Sequence, residues 1–465
     1  MKKYNVLSII LILILISFFK FSYPIYDQVY ADVDEFKDVD GNYYFAKFDS
    51  YNYYGNIIHY NSDDNFSIML GFVYDVFGVK GLYFLPVIVG ILSTFLFFLF
   101  VRKLFPYWVA FFSTFFFLIH PSSFFASAKG VLDTDFMIQF LQVLLIILFY
   151  AVYKRKSWFA YFCCLLVVFV SYGIWSGWLL FLLQLVMFSF YYILITSGRI
   201  HEIIFPLYYI CGFCASVFFI KLYYHSSLNL INQLQPYNFL CLFDKISIPL
   251  IFGLLTFYFF SIDDKDDIFL LHIIFSGIMF IFLGLFFTRF YYLGLPFMAL
   301  GLGYVLSKLK KPLLLAAYVV LFTLLFSNLN QPLIIVEDSV VDGVSFADKN
   351  SAVILGLWDL GHVYYAYSDN DVIFRGVPGN IEYYSNGLFL PSDDGITYLD
   401  NLSYTRNYSL IITTYDDKRY ETLSNLVGPD IDYNSHYLHL DTYFDLAYYG
   451  GGENINVSVY VRRQE

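Results

Sequence analysis

Residues 133–152 read DTDFMIQFLQVLLIILFYAV and decide the fold class of this 465-residue chain. Asp133 and Asp135 open a run that then carries no charged residue up to position 152. Roughly 20 apolar residues cross the hydrocarbon core of a bilayer, so this run predicts a membrane-spanning helix. Carboxylates at the edge of such a helix are costly, and the two aspartates therefore indicate a functional site at its end.

Apolar runs of similar length recur along the chain and predict a polytopic α-helical membrane protein with about 11 transmembrane helices. The predicted spans are 5–23, 81–101, 107–125, 136–152, 158–172, 174–195, 203–222, 246–262, 268–287, 290–306 and 313–329. The composition agrees, because charged residues make up 14% of the chain, against about 25% in soluble domains. Disordered chains and disulfide-rich secreted domains are excluded for the same reason.

The distribution of charge predicts the orientation in the membrane, because lysine and arginine favour cytoplasmic loops. With the N-terminus in the cytoplasm, the basic clusters 102–103, 154–156 and 308–311 all fall on the cytoplasmic side. Residues 25–66, with nine acids and two lysines, and residues 329–465, with 20 acids and seven basic residues, fall outside. The sequence thus predicts a multi-pass protein of the cell membrane, and its net charge of −11 excludes nucleic acid as a partner.

Two domains are predicted from these patterns. Residues 1–329 form the transmembrane domain, and residues 330–465 form an external C-terminal domain. The second domain alternates apolar and polar residues at 409–414 and 456–461, a period of two that is typical of β-strands, so we expect a mixed α/β fold there. The external loops of the transmembrane domain are 24–80 and 223–245.

Asp133 and Asp135 lie at the predicted outer end of the fourth span, separated by one residue. Their carboxylate oxygens are the ligands that a hard divalent cation prefers, and both can bind one ion. The alternative role is capping of the helix that follows. The two acids by themselves do not decide between a metal site and a cap.

Several segments of the chain resemble the catalytic subunits of archaeal and bacterial oligosaccharyltransferases. Residues 128–135, AKGVLDTD, look like the second acidic motif of that family, and residues 357–362, LWDLGH, look like its WWDYG signature. Further segments that fit the family are 49–54 (DSYNYY), 174–178 (IWSGW), 231–236 (INQLQP) and 288–290 (TRF). The segments follow the family order over nearly the whole chain, and the resemblance implies a GT-C membrane fold.

The resemblance implies an enzyme that moves a glycan from a dolichyl or other polyprenyl phosphate or diphosphate to Asn in an Asn-x-Ser/Thr sequon. It implies Mn²⁺ or Mg²⁺ as cofactor, and lipid-linked oligosaccharide, acceptor polypeptide and the bilayer as partners of a monomer. The implied catalytic residues are Asp49, Asp133, Asp135 and Gln233, of which the three aspartates bind the metal. The implied substrate-binding residues are Arg289 for the donor phosphate, and Trp358, Asp359 and Gly361 for the acceptor sequon.

Some assignments within this resemblance have alternatives. Asp40 competes with Asp49 as the first acidic residue, and Asp49 is preferred because the aromatic residues after it fit better. Trp358 could instead be a core aromatic residue, and Gly361 could simply make a turn.

The chain also departs from the family pattern at four positions. Leu357 and Leu360 replace Trp and Tyr of the signature, Gln233 replaces Glu, and Ala126 replaces Arg. Two other functions therefore stay open: a different GT-C enzyme that uses a polyprenyl-phosphate sugar, and a weakened relative that only binds lipid-linked glycan.

Overall fold

The computed structural model describes parts of both predicted domains. The described residues are 13–14, 16–17, 48–59, 65–120, 123, 126–128, 130–196, 276–277, 280, 290–308, 338–356, 358–373, 397, 399–401, 403, 405, 407–413, 444–451 and 456–463. The chain divides into two compact units, residues 1–31 with 84–332 and residues 32–83 with 333–465. The domain boundary near residue 330 stays a prediction of the sequence.

The secondary structure is helical up to residue 308 and mixed after residue 338 within the described ranges. The helices are α1 (Phe48–Ile58), α2 (Asn65–Leu104), α3 (Tyr107–Ile119), α4 (Asp135–Arg155), α5 (Trp158–Ile174), α6 (Leu179–Thr196), α7 (Phe290–Lys308), α8 (Asp338–Asn350) and α9 (Trp358–Tyr367). The strands are β1 (Val353–Leu355), β2 (Asp371–Ile373), β3 (Tyr408–Thr413), β4 (Phe444–Gly451) and β5 (Asn456–Arg462).

Six of the predicted spans contain described helices, α2 to α7. Among the described helices, α2 and α4 are long and apolar enough to cross a membrane, and α3, α5, α6 and α7 contain shorter apolar stretches. The first predicted span is described only at 13–14 and 16–17, the ninth only at 276–277 and 280, and the other three lie outside the described residues. The count of 11 therefore stays a prediction.

Two helix ends differ from the sequence prediction. Helix α3 ends at Ile119 and not at 125, because His120 precedes Pro121 and adopts the extended conformation, with φ −59° and ψ 130°, that such residues prefer. Helix α2 begins at Asn65, within the predicted loop 24–80, and has a non-helical residue at Gly78 with φ 65°.

The first unit is a set of packed helices tied by a few buried polar contacts. Helix α4 packs on α5, α6 and α7, and α7 also packs on α3. Gln142 of α4 and Gln184 of α6 exchange two side-chain hydrogen bonds of 2.9 and 3.0 Å. On α5, Trp158 and Phe169 are 86% and 73% exposed, an apolar outer face that suits a helix surrounded by lipid.

The second unit contains a five-stranded sheet with the order β2-β1-β3-β5-β4. Strand β1 pairs in parallel with β2 and β3, whereas β5 is antiparallel to β3 and β4. Helix α8 packs on the sheet, and buried Val457 and Val459 alternate with partly exposed residues on β5. The two strands predicted at 409–414 and 456–461 are confirmed as β3 and β5, and the mixed α/β fold with them.

Candidate active site

A buried turn leads into the candidate acidic pair. Gly130 has φ 70°, a left-handed conformation that favours glycine, and the amide of Val131 donates to the carbonyl of Ala128 at 3.2 Å. The amide of Asp133 then donates to the carbonyl of Val131, also at 3.2 Å. The chain therefore reverses tightly before α4, and this turn places Asp133 immediately ahead of the helix.

Asp133 and Asp135 are both buried, with 0% and 2% of their surface exposed. Asp133 precedes α4, whereas Asp135 is its first residue, so only one of the two lies on non-helical backbone. Oδ1 of Asp133 accepts a hydrogen bond of 2.6 Å from the amide of Thr134 and one of 3.3 Å from its hydroxyl. Both bonds come from Thr134, the N-cap residue, and the start of α4 has no side-chain capping hydrogen bond, so the capping alternative is not supported.

The electrostatics of the pair favour a cationic ligand. A buried carboxylate loses its hydration, and two of them separated by one residue also repel each other. The positive end of the α4 dipole offsets part of this cost. Carboxylate oxygens suit a hard divalent cation, but among the described residues no cluster of three or more His, Cys, Asp or Glu side chains forms a complete metal site.

Two glutamines on α4 form a buried polar stripe with Asp135 that sequence analysis missed. Gln139 and Gln142 follow Asp135 by four and seven residues, a spacing that places all three on one face of the helix. Gln139 is 1% and Gln142 0% exposed. The signal was available in the sequence, because a polar side chain within a membrane-spanning run indicates a function or a partner.

The helix that carries the first acidic motif packs against the helix that carries the signature. Helices α1 and α9 belong to the same unit and are in extensive contact. Nε2 of His59, the residue after α1, lies 2.8 Å from the carbonyl oxygen of Tyr365 of α9 and donates a hydrogen bond to it. The two rings also contact each other, with centroids 4.8 Å apart.

Aromatic contacts hold α1 against the first part of α2 within the same unit. Tyr53 meets Phe66 edge-on with centroids 4.9 Å apart, and Tyr54 meets Tyr74 at 6.4 Å. Burial, and to a smaller extent the neighbouring Tyr74, raise the pKa of Tyr54 to about 12. Tyr53 and Tyr54 therefore contribute to the packing surface between α1 and α2.

The other predicted site residues fall in three groups. Asp49 is the second residue of α1, and Trp358 and Asp359 begin α9. Gly361 lies inside α9, so the alternative that it makes a turn is wrong. The predicted residues that lie outside the described part of the chain are Gln233, Arg289 and the alternative first acid Asp40.

The IWSGW segment forms a tight turn between α5 and α6. A 3₁₀ turn spans Ser176–Trp178, and Trp175, which precedes it, is 6% exposed. A Cβ added at Gly177 would lie 2.3 Å from the ring of Trp175, so this position needs glycine. The ring of Tyr172 meets that of Trp178 edge-on at 5.1 Å.

Comparisons with known proteins identify the fold. No protein-family model matches the chain, and no curated protein sequence does. The apo crystal structure of the oligosaccharyltransferase of Archaeoglobus fulgidus is similar, with a TM-score of 0.66 and 13% identity over 100% of this chain and 75% of that chain. A second structure from the same organism, that of the oligosaccharyltransferase AglB in complex with an inhibitory peptide and a dolichol-phosphate, matches with the same TM-score, identity and coverage.

A second protein with a similar structure is ArnT from Cupriavidus metallidurans bound to undecaprenyl phosphate, with a TM-score of 0.52 and 10% identity. This match covers 99% of our chain and 98% of ArnT. The resemblance drawn from the sequence motifs is therefore confirmed for the fold, which is that of GT-C membrane glycosyltransferases.

Proposed function

We propose that this chain transfers a glycan from a polyprenyl phosphate or diphosphate carrier to the side-chain amide of Asn in Asn-x-Ser/Thr sequons. The observation that carries the proposal is the pair Asp133 and Asp135, buried at the start of α4 in a chain with a GT-C fold. Acidic residues at the end of a membrane-spanning helix are functional candidates, because placing a carboxylate there is costly. Their carboxylate oxygens are the ligands that a hard divalent cation prefers.

Asp133 and Asp135 are the described residues that would hold a divalent cation, Mn²⁺ or Mg²⁺. The family resemblance adds Asp49 as a third carboxylate ligand. When bound, the cation neutralises the negative charge that develops on the leaving phosphate.

The acceptor and the carrier engage other residues in this proposal. Trp358 and Asp359 at the start of α9, with Gly361, bind the hydroxyl-bearing end of the sequon. Gln233 hydrogen-bonds the acceptor amide, and Arg289 binds the carrier phosphate through its guanidinium group, which matches phosphate oxygens bidentately. The ligands seen with the two structurally similar proteins, a peptide, a dolichol-phosphate and undecaprenyl phosphate, support these substrate classes.

We propose an external catalytic face with the N-terminus in the cytoplasm. Lys80 and Lys103 are exposed residues of α2 on either side of the predicted span 81–101 and give a matched pair of labelling sites. In a variant whose natural cysteines are replaced by serine, an impermeant thiol reagent added outside should label Lys80→Cys and not Lys103→Cys. The reverse pattern would overturn the orientation.

The direct test incubates purified protein with lipid-linked glycan, Mn²⁺ and a labelled Asn-x-Thr peptide. We expect a glycopeptide, and none from a control peptide with Gln in place of the acceptor Asn. Binding of lipid-linked glycan without glycopeptide would instead identify a weakened relative of the enzyme.

A second candidate function is transfer of one sugar from a polyprenyl phosphate to an acceptor other than protein. The match with ArnT, which covers 99% of this chain and 98% of that one and whose structure holds undecaprenyl phosphate, supports a polyprenyl-phosphate donor in either candidate function. Asp359→Ala separates the two candidates, since it should abolish peptide glycosylation if α9 binds the sequon and have little effect on transfer to a lipid acceptor.

A further inference from the structure

Gln139 has an unusual hydrogen-bonding state for a buried amide. Its Oε1 accepts a hydrogen bond of 3.2 Å from the hydroxyl of Ser123. Its Nε2, in a side chain that is 1% exposed, has no hydrogen-bond acceptor among the residues that the structure describes. An unsatisfied buried donor destabilises the folded chain, so its presence at Gln139 calls for an explanation, such as a ligand-bound state in which the donor is used.

The position of Gln139 points to Asp135. The two residues are one helical turn apart, so their Cβ atoms are about 5–6 Å from each other. Side chains on a helix lean towards its N-terminus, which directs the Gln139 amide from its own turn towards that of Asp135. The hydrogen bond from Ser123 holds the amide oxygen and so fixes which way the nitrogen faces.

We propose that Gln139 is a positioning residue whose Nε2 donates a hydrogen bond to the carboxylate of Asp135 when that carboxylate binds a divalent cation. The inference rests on the proposed function and extends it to a residue beyond the predicted ligands. Hydrogen bonds to metal-binding carboxylates fix their orientation, and loss of one typically lowers metal affinity about 10- to 100-fold. A neutral amide can do this without adding a third charge to the buried pair.

Gln142 is a matched control on the same face of α4. It is also buried, but its amide is satisfied by the reciprocal pair of hydrogen bonds with Gln184. The structure therefore supplies two glutamines, three residues apart, of which Gln142 has its amide nitrogen hydrogen-bonded and Gln139 does not.

The test measures Mn²⁺ affinity by titration calorimetry and the apparent unfolding temperature without metal, on the full chain in detergent. Methionine conserves the shape of glutamine and removes its amide. We expect Gln139→Met to weaken Mn²⁺ binding about tenfold or more. It should lower the metal-free unfolding temperature less than Gln142→Met does, because it removes one hydrogen bond and one unused donor, whereas Gln142→Met removes two hydrogen bonds. Gln142→Met should lower that temperature, because it leaves Gln184 unsatisfied, and should leave Mn²⁺ affinity unchanged.

Two results would overturn the inference, and they are distinguishable. Wild-type Mn²⁺ affinity in Gln139→Met would refute the role of Gln139 alone and leave the proposed transfer reaction intact. A wild-type protein that binds no Mn²⁺ would refute the metal site together with this inference. Glycopeptide formation is measured separately, so failure of the transfer reaction alone would not alter the reading of the Mn²⁺ titration.

Discussion

Gly55 of α1 lies directly against the ring of Tyr365 of α9. A Cβ on Gly55 would be 2.6 Å from Cδ1 and 2.8 Å from Cε1 of Tyr365, and 3.4 Å from the Cα of Ala366. The absence of a side chain at Gly55 therefore lets the two helices approach at this point. Asp49 and Asp359 each precede this contact by six residues along their own helix, so the contact contributes to the placement of both motifs.

We expect Gly55→Ala to destabilise the packing of α1 on α9, because the added methyl group meets the ring and the backbone of α9. Overpacking of this kind typically costs about 1–3 kcal/mol. Gly71 of α2 is the control, since a Cβ there meets nothing within 4 Å. Gly71→Ala should be neutral or raise the unfolding temperature through helix propensity. Equal effects of the two substitutions, measured by thermal unfolding in detergent, would contradict the close approach.

Two adjacent arginines at the end of β5 allow a buried ion pair to be compared with an exposed one. Arg462 Nε lies 3.3 Å from Asp400 with exposures of 8% and 15%, whereas Arg463 Nε lies 2.8 Å from Asp445 with exposures of 46% and 66%. Asp400 also accepts a hydrogen bond of 3.0 Å from the hydroxyl of buried Tyr408.

We expect Asp400→Ala to lower the free energy of unfolding by about 3–5 kcal/mol, because it leaves a buried guanidinium without its carboxylate. Asp445→Ala should cost less than about 1 kcal/mol, since solvent screens the exposed pair. Denaturant unfolding of the two variants measures the difference. A larger decrease in the free energy of unfolding for Asp445→Ala than for Asp400→Ala would contradict this expectation, because the exposed pair would then stabilise the second unit more than the buried pair does.

Tyr54 should make stability depend on pH in the alkaline range. Its pKa is raised from 10.0 to about 12, so the folded state holds this proton more tightly than the unfolded state does. The stabilisation is fully present below pH 10 and is lost as the pH rises through the folded-state pKa of about 12. We expect Tyr54→Phe to reduce the decline of the unfolding temperature between pH 10 and pH 12. If the unfolding temperature of Tyr54→Phe falls as steeply between pH 10 and pH 12 as that of the wild type, a group other than Tyr54 causes the loss of stability.

Two substitutions at Asp133 separate its hydrogen bond with Thr134 from metal binding. Asn retains an oxygen that can accept from the amide of Thr134, but it carries no charge, whereas Ala loses both. If Asp133 binds metal, Asp133→Asn should keep the stability of the metal-free protein and lower Mn²⁺ affinity and transfer by orders of magnitude. Asp133→Ala should in addition cost about 1 kcal/mol of stability, because it loses the hydrogen bond from the amide of Thr134. Full transfer by Asp133→Asn, or by the wild type in EDTA, would contradict a metal-binding role of Asp133.

The order of elements was largely predictable from residue types. Charge-free runs such as 136–152 led to α4, and alternation at 456–461 led to β5. The end of α3 could also have been predicted, because Pro121 follows the last apolar turn and disfavours helix at His120.

The sequence by itself determined that the chain has long apolar helices with acidic residues at helix ends, which predict a membrane protein, since apolar length and charge placement are local properties of the residues. The tertiary structure alone decided that Gly55 meets Tyr365, that Oδ1 of Asp133 accepts from the amide of Thr134, and that Gln142 is paired while Gln139 keeps a donor unused. Each of these contacts depends on which residues come close together when the helices pack. Gln139 and Gln142 are the same residue type in the same apolar run, and only the neighbouring helix gives one of them its partner.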